Sequence, residues 1–564
     1  MRYNGARILI EALIGQGVDT VFGYPGSTVL HIYDELYKQK KRIRHILVSH
    51  EQHAAHAADG YARSSGRVGV CLTASGPGAT NLVTGIAAAA IDSVPLVAIT
   101  GNVSVPLLGK DSFQEVDIAG ITMPVVKHNW IVRDVNELAE VIREAFIVAK
   151  SGRPGPVLVD IPRDISAART LYVPGGIPGG RAERLSLRNE RRTFSDDDIE
   201  TAAALLKESR RPVLYAGGGV ILSGASGELK KLAELLKAPV ALSLMGLGAF
   251  PHDHRLCTGM IGMHGTAASN KAVQKSDLLV AIGARFSDRV TSQVEKFAHS
   301  AKILHIDIDP AEINKNVRTC ASVTGDAKIV LERLIQRLPA EMETGWNGEI
   351  ERWKALVPRD HHRKTALHPR FIIQETAKAL GGKAIVVTDV GQHQMWTAQF
   401  YPFKYPRSFL SSGGMGAMGF GLGAAAGAKA ANPARPVVLF TGDGCFRMNC
   451  TELATLVRYG LSVLIIVFNN RALGMVRQWQ NFFCAGRYSE TDLGDRPPDF
   501  VKLAGAYDVP GYRAGDEISF QAALEKAEKD LAAGRPALIE ALIDKDERVL
   551  PMVPGGRPID EQIF

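Results

Sequence analysis

The sequence predicts an α/β fold built on parallel sheets. Three observations carry this. Apolar runs rich in Val and Ile recur along the chain, helical patterns separate them, and Gly-containing loops follow the strand ends. In the first third, VGVCLTASG (68–76) reads as a strand, ATNLVTGIAAAA (79–90) as the helix that returns the chain, and VPLVAIT (94–100) as the next strand. In the middle third, DLLVAIGA (277–284) and KILHIDID (302–309) are strands. In the last third, AIVVTDVG (384–391), PVVLFTGDG (436–444) and LSVLIIVFNN (461–470) are strands, with the helical MNCTELATLVRYG (448–460) between the last two.

A chain of 564 residues is too long for one core. Two breaks divide it. YVPGGIPGGRAERLSLRNERR (172–192) has the Gly, Pro and charge of a linker, and LPAEMETGWNGE (338–349) marks a weaker one. The expected domains are 1–165, 193–340 and 365–545, with linkers at 166–192 and 341–364 and a tail at 546–564. The outer two echo each other. SGRPGPVLVDIP (151–162) resembles AGRPALIEALID (533–544), and Thr73 to Asn102 spans the same interval as Thr441 to Asn470, which favours a duplication over the similar lengths all βαβ units share.

Composition excludes several functions. Hydrophobic residues at 46%, charged residues at 22% and a net charge of +7 describe an ordinary soluble chain with no nucleic-acid partner. The basic runs at 38–44 and 181–192 read as solvated surface. Six cysteines without a CxxC pair imply reduced thiols and a cytoplasmic setting. No secretory signal is read at the N-terminus, and the most apolar stretch, 85–100, is interrupted by Asp92 and Pro95, so no membrane span is expected.

TGDGCFRMN (441–449) sets Asp443 between Gly442 and Gly444 at the end of a strand. Alone, this is as much a turn as a ligand site. One helix later the next strand delivers Asn469 and Asn470. The carboxyl edge of an open parallel sheet is where ligands bind, so Asp443 and Asn470 can share one oxygen-rich site. One carboxylate and one amide, completed by backbone and phosphate oxygens, suit Mg²⁺. Glycines at 442 and 444 let backbone N–H groups approach a diphosphate. Here the chain resembles the thiamine diphosphate (ThDP) enzymes, marked by GDG and a following NN. The resemblance implies that Asp443, Asn470 and the Ala472 carbonyl hold Mg²⁺ against the cofactor.

Such a site also needs a carboxylate to bring the aminopyrimidine to its imino form. Glu51, at a helix start after an apolar run in HILVSHEQHAAHAADGYAR, answers that need; the plainer alternatives are a helix-dipole contact, or a metal site made by His50, His53 and His56. In the ThDP family an HEQ element supplies this glutamate.

KDSFQEVDIAGIT, GMIGMHGT, GARFSDRV, GQHQMW, GGMGAMGFGL, GMVRQWQ and PMVPGG run in order to the end of the chain, and together they resemble the catalytic subunit of biosynthetic acetolactate synthases. The resemblance implies three doubly wound domains, binding the pyrimidine, FAD and the diphosphate. Gln392, His393, Gly416 and Cys445 would contact ThDP, and Met418 would wedge it into a V shape. Phe113 and Gln114 would line the reaction site, Arg289 and Trp479 would receive the second 2-oxo acid, and Met475 and Val476 would complete the pocket. By chemistry alone Arg289 is equally a surface ion pair, and Trp479 and Met418 core side chains. The middle domain has no GxGxxG. The resemblance implies FAD there, held by Arg153, Gly217, Gly218, Gly219, Met263, His264, Gly265, Thr266, Gly283, Ala284, Arg285, Asp307, Ile308 and Asp326.

The implied reaction decarboxylates pyruvate on ThDP and joins the two-carbon unit to pyruvate or 2-oxobutanoate, giving 2-acetolactate or 2-aceto-2-hydroxybutanoate on the way to the branched-chain amino acids. The implied assembly is a homodimer or homotetramer with its site at the subunit interface, and a small regulatory subunit is a further partner. A ThDP- and FAD-dependent pyruvate oxidase, a related acyl-transfer enzyme and a non-catalytic paralogue are the rivals. Ser27, Thr28, Arg163, Ser287, Gly423 and Cys445 depart from the family pattern.

Overall fold

The computed structural model describes residues 2–176, 179–189, 194–346, 348–356, 367–494, 496 and 498–564, so parts of both expected linkers (177–178, 190–192, 347 and 357–364) lie outside the described residues. Three six-stranded sheets, each wholly parallel, form the frame. Their central strands, such as Leu96–Asn102, Leu278–Ile282 and Val463–Asn469, are buried throughout. Helices cover both faces, which is why these strands read as continuous apolar runs.

The N-terminal sheet uses Thr20–Gly23, Arg44–Leu47, Gly69–Thr73, Leu96–Asn102, Asn129–Ile131 and Pro156–Pro162. Numbered along the chain, they lie in the order 2-1-3-4-6-5. The C-terminal sheet, from Ile385–Thr388, Phe409–Leu410, Val437–Gly442, Val463–Asn469, Gly511–Ala514 and Ala537–Leu542, has the same order. The duplication expected from sequence is thus present in topology, but the equal spacing misplaces one pair. In register Thr73 faces Thr100, whereas Thr441 faces Val467. Asn102 therefore corresponds to Asn469, not to Asn470.

The central sheet, from Pro212–Ala216, Val240–Leu242, Cys257–Met260, Leu278–Ile282, Lys302–Asp307 and Ala321–Thr324, has the order 3-2-1-4-5-6 of dinucleotide-binding folds. At its reversal point, between Pro212–Ala216 and Leu278–Ile282, the two strand ends cross tightly. Gly219 N–H donates to the Gly283 carbonyl at 3.0 Å, and Gly283 takes φ +52°. A Cβ on Gly219 would lie 2.6 Å from Gly283 Cα, so only glycines fit.

The outer two units meet through equivalent helices, Glu51–Ser65 and Gly421–Ala431. A Cβ on Gly60 would overlap the Ala424 carbonyl, 2.7 Å from its carbon, and one on Gly427 would overlap the Ala57 carbonyl, 2.6 Å from its carbon. Ala57 precedes Gly60 by the same three positions that separate Ala424 from Gly427, so the crossing is two-fold symmetric in its chemistry.

The stretches expected as linkers carry structure of their own. Arg169–Leu171 pairs antiparallel with Arg2–Asn4, and helix Arg181–Asn189 begins where Glu140 accepts the Ala182 N–H at 2.8 Å. Trp346 is buried, its indole donating to the Pro212 carbonyl at 2.8 Å. Beyond Leu542 the tail straps the C-terminal unit to the central one. Trp396 donates to the Arg548 carbonyl at 3.2 Å, Val553 N–H to Met263 O at 2.8 Å, and Asn270 to Ile559 O at 2.8 Å. Among the described residues no helix is long and apolar enough to cross a membrane.

Candidate functional site

Three groups of residues gather at the carboxyl edges of the three sheets. The first surrounds Asp443. Strand Val437–Gly442 ends in Gly442, and Asp443 opens a helix running to Asn449. Its Oδ1 accepts the Gly444 N–H at 3.0 Å, while Oδ2 is buried and has no partner. Burial pushes the Asp443 carboxyl up to about 6, outweighing the Gly444 N–H bond and the charge of Arg447, which both pull it down. Asn470 Oδ1 accepts the Ala472 N–H at 3.1 Å, and its amide group reaches Gln392 Oε1 at 3.4 Å. His393 is buried beside Gly442, burial lowers its pKa to about 3, and its Nε2 has no partner. The Asn pair divides its work, for Asn469 turns away to Glu540 at 2.6 Å.

An orphaned carboxylate oxygen, an amide, an unpartnered imidazole nitrogen and backbone bare of Cβ atoms at 442 and 444 fit a diphosphate bridged by a divalent cation. Among the described residues no three His, Cys, Asp or Glu are grouped to hold a metal alone, so such a cation needs ligand oxygens as well. The Cys445 thiol donates to the Val390 carbonyl at 3.1 Å, and burial raises its pKa well above the ordinary value.

The second group lines a cleft of about 1300 Å³ bounded by the central and C-terminal units and by the N-terminal unit around Arg153. Arg153, Gly217, Gly218, Gly219, Met263 and His264 face it, as do Gly283, Ala284, Arg285, Asp307, Ile308 and Asp326. Gly265 and Thr266 do not line it. Thr266 instead caps helix Ala267–Gln274, accepting the Ser269 N–H at 3.1 Å. Arg153 is held by Glu312 at 2.7 Å and Ser93 at 2.8 Å. Ser287 lines the cleft too, ahead of helix Asp288–Thr291, and its side chain makes no capping bond. At the other end Gly416, Met418, Met475, Val476, Arg289 and Trp479 face the same space. The Arg289 guanidinium lies 5.6 Å from the Trp479 ring centroid, and the Trp479 indole N–H is buried without a partner. Two side chains 190 positions apart in the sequence are thus neighbours.

Glu51 belongs to the third group, outside that cleft. It opens helix Glu51–Ser65, is half-buried, and accepts a hydrogen bond from Asn81 Nδ2 at 2.9 Å. Its Oε1 lies 3.5 Å from where a Cβ on Gly78 would stand. Phe113 is 86% exposed, and Gln114 adopts φ +59° against Gly76. His53 pairs with Glu452 at 2.9 Å, and His56 is buried, its pKa lowered to about 3 by burial. Of the departures, Thr28 is buried, its hydroxyl accepting the Ser75 N–H at 3.1 Å, and Gly423 faces His53 and His56 in the helix crossing.

Several residues escaped the sequence reading. Asp389 is fully buried and accepts from Gly419 N–H (2.9 Å), Gly421 N–H (3.0 Å), Thr441 Oγ1 (2.9 Å) and Asn449 Nδ2 (3.2 Å), fixing the loop that carries Met418. Burial raises its pKa. Gln478, also buried, joins Gln392 to the tail, accepting the Val549 N–H at 2.9 Å and the Gln392 amide at 3.0 Å. A strand-end carboxylate in TDVG was the only signal for Asp389, and nothing local marked Gln478.

Three family descriptions match the chain. The N-terminal TPP-binding domain of thiamine pyrophosphate enzymes matches residues 3–121, their central domain 199–334, and their C-terminal TPP-binding domain 389–541. The chain is 49% identical to a probable acetolactate synthase large subunit of Methanocaldococcus jannaschii, over 98% of this chain and 94% of that protein. It is 47% identical to the acetolactate synthase large subunit of Corynebacterium glutamicum (98% and 89% covered) and 45% identical to that of Pyropia yezoensis (98% and 94% covered).

Proposed function

Because the chain belongs to the thiamine pyrophosphate enzymes and, within them, to the acetolactate synthase large subunits, we propose a division of labour among its residues in that reaction. The observation that carries the reading is the unpartnered, buried Oδ2 of Asp443 between two glycines, at the end of the strand paired with the one that leads into Asn470. Asp443, Asn470 and the Ala472 carbonyl hold Mg²⁺, while Gln392, His393 and the backbone at 442–445 receive the diphosphate. His393 fits this role as a neutral ring, since burial disfavours its charged form. When bound, ThDP supplies the electron sink that permits decarboxylation of pyruvate. Met418, on the loop fixed by Asp389, supports the cofactor from below. Glu51 holds a proton at the aminopyrimidine ring. Arg289 meets the carboxylate of the second 2-oxo acid through charge-assisted hydrogen bonds, and Trp479, Met475 and Val476 bound its alkyl group. With pyruvate as acceptor the product is 2-acetolactate; with 2-oxobutanoate it is 2-aceto-2-hydroxybutanoate.

The cleft at the reversal point of the central sheet fits FAD, its glycine crossing admitting a pyrophosphate and Asp307 and Asp326 standing at strand ends for ribose hydroxyls. The units that carry these tasks are 1–165, 193–340 and 365–545, with the tail 546–564 tying the last to the central one. Glu51 does not line the cleft that holds Met418, Arg289 and Trp479, and the Phe113 side chain is left without cover. Both features support a site completed by a second copy, in a cytoplasmic dimer or tetramer, with a regulatory subunit as a further partner.

The test supplies ThDP, Mg²⁺ and FAD and follows pyruvate, with and without 2-oxobutanoate. Acetolactate forms in the first case and both acetohydroxy acids in the second. Stoichiometric bleaching of the flavin without acetohydroxy acid would favour an oxidase instead. Glu51→Gln abolishes turnover and leaves ThDP bound; unaltered turnover would remove Glu51 from its role.

A further inference from the structure

Glu452, the partner of His53, has no task in the proposed division of labour, yet it is among the most heavily engaged carboxylates near the site. It ends the turn Cys450–Glu452 that follows the helix begun by Asp443, and it is 1% exposed. Its Oε1 accepts the Ser49 N–H at 2.8 Å, the His50 N–H at 3.2 Å and His53 Nδ1 at 2.9 Å. Its Oε2 accepts the Thr455 hydroxyl at 2.5 Å. A carboxylate only accepts, so His53 carries its proton on Nδ1. Ser49 and His50 are the two residues before Glu51, and His53 is two after it. Three donors that bracket Glu51 in sequence therefore converge on one oxygen, some 400 residues further along the chain.

We propose that Glu452 is a positioning residue for Glu51, fixing from the C-terminal unit the backbone on which the activating carboxylate stands. This rests on the assignment of Glu51 above. The Glu51 side chain takes its other restraint, Asn81, from the N-terminal unit. Its backbone and its carboxylate are thus set by different units. Neighbouring bonds tie the same segment to that turn and to the helix Leu453–Tyr459 after it: Ser49 Oγ donates to the Thr451 carbonyl at 2.9 Å, and Leu47 N–H to Tyr459 Oη at 2.8 Å. Those contacts hold the strand when Glu452 is lost, so what Glu452 adds is the precise start of the helix. Misplacing a reacting group by about 1 Å costs up to ~100-fold in rate.

The experiment uses the full-length protein loaded with ThDP, Mg²⁺ and FAD but without substrate. It measures exchange of the ThDP C2 proton with D₂O per bound cofactor, by NMR after acid quench, together with ThDP affinity and the melting temperature without cofactor. Glu452→Ala slows exchange ~10–100-fold while ThDP affinity holds, since Asp443 and Asn470 are untouched. Glu452→Gln restores most of the rate, because its amide oxygen keeps the three acceptor positions and its NH₂ turns to the Thr455 hydroxyl. Glu452→Asp, which withdraws the carboxylate by one methylene, falls between the two and serves if the alanine variant does not fold. A merely structural role lowers the melting temperature and the loaded fraction but leaves the rate per bound cofactor alone. That result, or equal loss in the Ala and Gln variants, overturns the proposal. Glu51→Gln runs in parallel. If it slows exchange and Glu452→Ala does not, only this proposal falls; if Glu51→Gln exchanges at the parent rate, the assignment of Glu51 falls and this proposal with it.

Discussion

Gly60→Ala sets two effects of opposite sign against each other. In a helix interior, alanine for glycine gains ~0.5–1 kcal/mol through backbone entropy and propensity. At the crossing of Glu51–Ser65 with Gly421–Ala431, the new methyl would overlap the Ala424 carbonyl oxygen and lie 2.7 Å from both its carbon and Cα. Ordinary carbon contacts need about 3.5–4.0 Å, so the helices must separate by roughly 1 Å. Overpacking of this kind costs ~1–3 kcal/mol, more than the propensity gain. The net effect is therefore destabilising by ~1–2 kcal/mol, which for a unit of about 150–250 residues lowers the melting temperature by ~2–4 °C per kcal/mol. Gly427→Ala, meeting Ala57 with the same geometry, behaves alike. The double variant costs less than the sum, because the first methyl has already parted the helices. Gly227→Ala is the control, since nothing lies within 4 Å of its added Cβ in helix Ser226–Leu236, and it stabilises slightly or not at all. Thermal melts by circular dichroism decide the matter. If Gly60→Ala melts as high as Gly227→Ala, the close crossing is not the constraint described here.

Asp443→Asn removes the proposed cation ligand and also the charge of a buried carboxylate whose pKa burial raises. ThDP affinity measured by titration in Mg²⁺ falls steeply, while the cofactor-free protein melts no lower than its parent; a lower cofactor-free melt would contradict the burial argument. Arg289→Ala removes a charged hydrogen-bond donor worth ~1.5–3 kcal/mol, so KM for the acceptor rises about 10-fold or more while cofactor binding is unchanged, and an unchanged KM would place the acceptor elsewhere. Asp160 provides a pH test. It is fully buried, accepts Thr100 Oγ1 and Asn102 Nδ2 at 2.6 Å each, and burial pushes its carboxyl up to about 6. Its pKa is raised above the unfolded value of ~3.9, so its contribution is full below that value and is withdrawn as pH rises through 6. The stability of Asp160→Asn relative to the parent therefore improves by ~1 kcal/mol between pH 5 and pH 8 in denaturant unfolding, and a flat difference would refute the shift.

The sequence was most legible where chemistry and chain order coincide. Asp443 and Asn470 directly follow the paired parallel strands Val437–Gly442 and Val463–Asn469, so the spacing of GDG and NN sets both at one sheet edge without knowledge of the rest of the chain. The parallel sheets were legible because burial on both faces leaves uninterrupted Val and Ile runs. Register was not. Spacing aligned Asn102 with Asn470, whereas the strands align it with Asn469, because the connections between the paired strands differ by one residue. Long-range convergence was invisible for a different reason. Half of the donors that Glu452 and Asp389 engage are backbone N–H groups, which every residue owns, so no side-chain pattern advertises them. The neighbouring of Arg289 with Trp479 was reached through family resemblance alone, since nothing in the spacing brings the middle third of the chain to the last.

The symmetric crossing has a consequence for history. Counting back nine residues from Gly60 reaches Glu51, and counting back nine from Gly427 reaches Met418. Two repeats of one ancestral unit, once identical, would have met as separate molecules with each glycine against the other's alanine, presenting the same side chain twice. Joined in a single polypeptide, the two addresses became free to diverge, one toward an acid and the other toward a thioether. Because the crossing is close at both Gly60 and Gly427, a change that parts the helices there would displace both addresses together.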